Sequence, residues 1–231
     1  METPAVLVVD VGGSNVKVLA TGRKRRRKIP SGSKMTASRM VRDVKRATRG
    51  WKYDRVSIGY PGPMIGGRPI REPYNLGGGW KGFNFRKAFG CPVKMINDAA
   101  MQALGSYRGG RMLFLGLGTG LGSAMLVDGE IEAMELAHLP YEHGKTYEDI
   151  LGRRGLKKTG KKKWRRRVVE VARELKAALE ADSVVLGGGN AKKLKALPAG
   201  MRKGDNENAF IGGFRLWRKQ SSQIGMRRRG R

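Results

Sequence analysis

Apolar runs in this chain stop at glycine clusters and restart beyond them. Ala5–Val9 leads into Asp10-Val11-Gly12-Gly13-Ser14-Asn15, and Val16–Ala20 follows. Met112–Leu115 leads into Gly116-Leu117-Gly118-Thr119-Gly120-Leu121-Gly122-Ser123-Ala124, and Met125–Val127 follows. Each pattern predicts strand, tight turn, strand. Backbone N–H groups in such a turn can approach an anion with no Cβ in the way. Two of them suggest facing lobes that clasp a phosphate chain.

The rest of the pattern supplies the remaining elements. Met40, Val41, Val44 and Ala47 recur at helical spacing within Ser38–Thr48. Arg55–Tyr60 and Pro92–Ile96 are short strands, the first ended by Pro61-Gly62-Pro63. Met64–Gly90 between them is loop-rich but aromatic, which points to a functional loop. A helix is expected over Ala99–Tyr107, with Asn97 or Asp98 as its cap. Lys161–Ala181 is the longest helix candidate, with Val168, Val169, Ala172, Leu175 and Leu179 on one face. Ser183–Leu186 is a buried strand that ends in Gly187-Gly188-Gly189, and a helix is expected to start near Asn190. A last helix is placed around Asn208–Trp217.

Composition narrows the partners. Lys and Arg number 48 against 19 Asp and Glu, a net charge of +29. Such a field attracts polyanions: nucleic acid, an anionic membrane surface or inorganic polyphosphate. The densest run is Lys157–Arg167, and a second is Lys24–Lys28. No apolar stretch is long enough to cross a membrane. The N-terminus lacks the layout of a signal peptide. Cys91 is the only cysteine, so an internal disulfide and a thiolate zinc cluster are excluded, and a cytoplasmic location is expected.

Several residues carry candidate chemistry. Asp10 enters its turn from a strand end, where a carboxylate can hold hydrated Mg²⁺. Lys17 can contact phosphate or pair with a carboxylate. Asp98, at the end of a buried strand, reads equally as a general base of raised pKa or as a helix cap. Glu135 and His138 stand three apart, so both face one side of a helical turn and can grip neighbouring sugar hydroxyls; a metal pair is the other reading. Gly187-Gly188-Gly189 is an anion or nucleotide contact point.

In this order the motifs resemble the ROK family of sugar kinases, closest to its polyphosphate glucokinase branch. The resemblance runs from about Val6 to about Phe214. Asp10–Lys17 is similar to the family's first phosphate motif, and Gly118–Ala124 to its second. Gly59–Pro63 with Asn75-Leu76 and Gly79-Trp80 is similar to the sugar-side loop. Asn97-Asp98-Ala99-Ala100 resembles the catalytic segment, and Leu186–Gly189 the adenosine-side turn. The second motif's Gly-Ser-Ala ending favours the polyphosphate branch over members that use ATP.

The resemblance implies an α/β, actin-like (ribonuclease-H-like) fold of two lobes with the active site in the cleft between them. Residues 1–108 would form the first lobe and 109–220 the second, the last helix packing back on the first; 221–231 would be a basic tail. Asp98 would be the catalytic base for the sugar 6-hydroxyl. Asn75, Asn97, Glu135, His138 and Glu148 would bind the sugar along with Asp98. Asp10, Gly12, Gly13, Ser14, Asn15, Lys17, Gly118, Thr119, Gly120, Gly122 and Gly188 would bind phosphate, Asp10 also holding Mg²⁺ through water. The implied reaction is phosphoryl transfer from inorganic polyphosphate to glucose. An ATP-dependent hexokinase and a non-catalytic polyanion- or nucleic-acid-binding protein are the alternatives. No zinc and no membrane partner are expected, and a homodimer is. The family's Glu-x-Gly-His has Ala137 in place of glycine, and its cysteine-rich zinc motif is absent. The chain opens at the first phosphate strand, which argues against a repressor with a helix-turn-helix in front.

Overall fold

The computed structural model describes residues 4–205 and 207–218. The expected basic tail, 221–231, lies outside them. The first half comprises β1 (Val6–Val11), β2 (Asn15–Ala20), β3 (Arg27–Pro30), α1 (Ala37–Ala47), β4 (Arg55–Tyr60), β5 (Met64–Ile65), β6 (Arg68–Pro69), α2 (Phe85–Phe89), β7 (Val93–Asn97) and α3 (Asp98–Ser106). The second comprises β8 (Arg111–Leu117), β9 (Leu121–Val127), β10 (Glu130–Met134), α4 (Tyr147–Leu151), α5 (Arg153–Ala178), β11 (Ser183–Gly187), β12 (Met201–Lys203) and α6 (Asn208–Arg215).

Two five-stranded sheets share one topology, β3-β2-β1-β4-β7 and β10-β9-β8-β11-β12. In each, an antiparallel three-strand meander is followed by two parallel strands. Each glycine cluster is the first turn of its meander. Asp10 pairs with Lys17 across one turn and Gly116 with Gly122 across the other. Continuous apolar runs suit β1 and β8 because both faces of each sheet are covered.

α1, α2 and the aromatic loop bury one face of the first sheet, around Met40, Val44, Trp80 and Phe85. α4 and α5 bury one face of the second, around Leu151, Trp164, Val168 and Leu175. The remaining faces meet α3, which packs on β8 and β9, and α6, which packs on β1. Among the described residues no helix is long and apolar enough to cross a membrane.

Three expectations change. The long helix begins at Arg153, eight residues before the predicted start, and is interrupted at Gly160 (φ 73°, ψ 165°). Its first turns are nearly all cationic, so only Gly155, Leu156 and Trp164 reach the core and little periodicity is visible. Val171, not Val169, completes the buried face. The helix expected at Asn190 is a single 3₁₀ turn, Ala191–Lys193. Leu194 drops into the core there, and Pro198 leaves no room for an α-helix. The loop-rich segment also contains the β5–β6 ribbon and α2, which Asn84 caps.

Candidate active site

α3 begins where β7 ends, so the catalytic candidate sits on a strand-to-helix junction. Asn97 caps the helix: its Oδ1 accepts the N–H groups of Ala99 (2.9 Å) and Ala100 (3.2 Å). Its Nδ2 donates to Gly62 O (3.1 Å), tying the junction to the Pro61–Pro63 turn. With the cap supplied by Asn97, Asp98 is left to accept Ala99 N–H at its Oδ1 (2.8 Å). Burial, then the charges of Asp10 and Glu135, push its carboxyl up to about 7, against the pull of the Ala99 N–H. Asp98 is therefore close to half-ionised near neutrality, a suitable state for a general base.

Asp10 is the one polar residue of the fully buried strand β1 and is only 6% exposed. Lys17 Nζ lies 2.9 Å from its Oδ2, as the cross-strand register dictates. Of the two readings of Lys17, the pairing with a carboxylate is the one the structure displays.

A cleft of ≈ 540 Å³ joins these groups to the second sheet. It is lined by Asp10, Gly12, Gly13, Lys17, Asn75, Asn97 and Asp98 from the first half. Gly118, Thr119, Gly120, Gly122, Glu135, His138, Glu148 and Gly188 line it from the second. Ser14 and Asn15 belong to the first turn but do not line the cleft; Asn15 O closes the turn by accepting Gly12 N–H (3.1 Å). The second hairpin can come this near α3 because Gly122 has no side chain: a Cβ there would stand 2.7 Å from that of Ala99.

Glu135 precedes and His138 ends a 3₁₀ turn, Leu136–His138. Ser123 on β9 anchors it, donating to Met134 O (2.8 Å) and accepting Leu136 N–H (3.1 Å). Ala137 is buried in the second core, so its methyl is accommodated where the family has glycine. Glu148 lies against the second glycine turn: its Oε2 accepts Leu121 N–H (3.1 Å), and a Cβ on Gly120 would meet that carboxylate at 2.1 Å.

Ser123 reads in sequence as part of the second phosphate motif, but not as the anchor of the Glu135–His138 turn, and Met134 and Gln102 escaped the sequence reading. Gln102 is one helical turn beyond Asp98, and its Oε1 is buried without a partner; the spacing of four was its only signal. Among the described residues no three His, Cys, Asp or Glu side chains gather into a metal cage.

No family model matches the chain. A polyphosphate glucokinase from Mycobacterium tuberculosis is 28% identical over 207 residues, covering 80% of this chain and 77% of its own. The inorganic polyphosphate/ATP-glucomannokinase of Arthrobacter sp. strain KM superposes with a TM-score of 0.74 at 19% identity, over 92% of this chain and 98% of its own. The chain is similar to the Mycobacterium glucokinase in sequence and shares its fold with solved ROK-family sugar kinases. A ROK family glucokinase from Streptomyces griseus, solved with glucose and AMPPNP, shares the fold as well: TM-score 0.70, 17% identity, 92% and 98% covered. The duplicated sheets are thus the two halves of an actin-like kinase fold.

Proposed function

We propose that the protein transfers the terminal phosphoryl group of inorganic polyphosphate to the 6-hydroxyl of glucose. The observation that carries this reading is convergence: both glycine turns, Asp10, Asp98, Glu135 and His138 line one cleft. Asp98 takes the proton of the 6-hydroxyl as O6 attacks the terminal phosphorus. The bridging P–O bond breaks, and the donor leaves one phosphate shorter. Glu135, His138, Asn75 and Asn97 orient the sugar. The N–H groups of Gly13, Thr119 and Gly120, which close neither turn, hold donor oxygens between the two lobes, 1–108 and 109–220. Phosphoryl transfer requires mainly this positioning and charge neutralisation.

Mg²⁺ fits as a shared guest rather than a caged one. It accepts few carboxylates together with phosphate oxygens and waters, and Asp10 offers a buried carboxylate at the cleft. When bound, the ion would neutralise charge on the transferred group. A cytoplasmic homodimer completes the reading, supported by the single cysteine and the family resemblance.

The names of the Mycobacterium and Arthrobacter relatives and the excess of cations favour polyphosphate as donor. ATP is the second reading, favoured by the Arthrobacter relative, a polyphosphate/ATP-glucomannokinase, and by Gly188 and Gly189 at the cleft. Glucose 6-phosphate formation measured side by side with each donor decides. Turnover with polyphosphate exceeding that with ATP is expected; activity with ATP alone overturns the donor assignment.

A further inference from the structure

The most concentrated charge on the molecule starts at the cleft. Ten of the fifteen residues from Arg153 to Arg167 are cations, with no carboxylate among them. Among the described residues only two of these ten lie in ion pairs, Arg154 with Asp149 (3.5 Å) and Arg167 with Glu142 (3.7 Å). Lys157, Lys158 and Lys161–Lys163 are exposed. A helix so charged repels itself and is retained only if tertiary contacts hold it. Leu156 and Trp164 supply them, the indole N–H donating to Leu151 O (2.8 Å).

The start of α5 is fixed to the second glycine turn, since Arg153 N–H donates to Thr119 O (3.1 Å). A second connection runs through side chains. Asn190 Nδ2 donates to Gly118 O (2.9 Å), Lys193 Nζ donates to Asn190 Oδ1, and Arg165 Nε donates to Lys193 O. The turn that would hold the donor's end is therefore bonded at both sides to the cationic stretch. From Arg153 to Thr159 the first segment rises roughly 9 Å, and beyond the break at Gly160 the second segment continues the run with Lys161–Lys163.

Resting on the donor reading above, we propose that the polyphosphate chain behind the transferred group leaves the cleft beside Gly188–Gly189 and lies along α5. Lys157, Lys158, Lys161 and Lys162 hold its internal phosphates. The helix is a second foothold for the same ligand: it raises the local concentration of the reacting end for long chains and does nothing for a chain that ends inside the cleft.

The test replaces Lys157, Lys158, Lys161 and Lys162 together by Ala, which is a better helix former and removes no buried group. A control variant replaces Arg23, Lys24, Arg25 and Lys52, four exposed cations at the end of the first sheet away from the glycine turn. The quantity read is kcat/KM with long-chain polyphosphate divided by kcat/KM with tripolyphosphate. It should fall roughly tenfold in the helix variant and stay level in the control. A level ratio in the helix variant, or an equal fall in both, overturns the track in favour of diffuse attraction. Long-chain polyphosphate binding to the Asp98→Asn protein, with and without the four helix substitutions, decides the track independently of turnover. If no polyphosphate phosphorylates glucose yet binding still depends on the helix lysines, the donor reading fails and the track stands.

Discussion

Asp98 has a carboxyl that resists ionisation because burial and two neighbouring carboxylates oppose its charge. Its activity and its stability contribution therefore run in opposite directions with pH. As a base it must be deprotonated, so kcat/KM for glucose should fall below an inflection near pH 7. An inflection near pH 4 would show Asp98 to be an ordinary carboxylate. Replacing it with Asn should lower kcat by about 10²–10⁴, the usual contribution of a positioned base. Glucose affinity should change little, by calorimetric titration. For stability, the folded chain holds this proton more tightly than the unfolded chain between about pH 4 and 7. The contribution of Asp98 thus declines as pH rises through that window. Asp98→Asn removes the decline, so the variant should melt above the parent at pH 8, with the gap closing near pH 4. Asp98 was readable as chemistry from its place after an apolar strand, but base and cap were indistinguishable. That required the Asn97 side chain, whose oxygen takes both N–H groups.

At the scale of elements, α3 carries Asp98 and is held by α6 across a contact without side chains. A Cβ on Gly105 would stand 1.8 Å from Asn208 O, and one on Gly212 1.8 Å from Met101 O. Arg215 Nη1 adds a bond to Leu104 O (2.6 Å) at the end of α3. Gly105→Ala should therefore cost about 1–3 kcal/mol in urea unfolding, the usual cost of overpacking, and lower kcat as α3 shifts at the cleft. An unchanged midpoint would mean that the two helices separate freely. Nothing in the sequence announces this pairing, since Gly105 and Gly212 are far apart and each reads as a weak helix position. The glycine turns were legible because apolar strands bracket them in sequence. The start of α5 was hidden because cations replaced the apolar repeat. The helix expected at Asn190 failed because Leu194 and Pro198 end it from beyond the usual helix-start signal.

At the scale of the whole molecule, a net charge of +29 attracts any polyanion, so attraction alone identifies no donor. Salt separates the possibilities. A polyanion bound at several phosphates displaces counterions at each, and its apparent affinity falls linearly in log–log against salt, with a slope set by the number of contacts. Glucose is neutral and displaces none. KM for long-chain polyphosphate should therefore climb steeply between 50 and 200 mM salt, an interval over which several phosphate contacts are clearly resolved. KM for glucose should stay nearly flat, and KM for ATP or tripolyphosphate should climb with a shallower slope. Removing the four α5 lysines should bring the long-chain slope down to the short-donor slope, because only long chains reach them. If the slopes for long and short donors already coincide in the parent protein, the charge acts on the encounter alone and every bound phosphate lies inside the cleft.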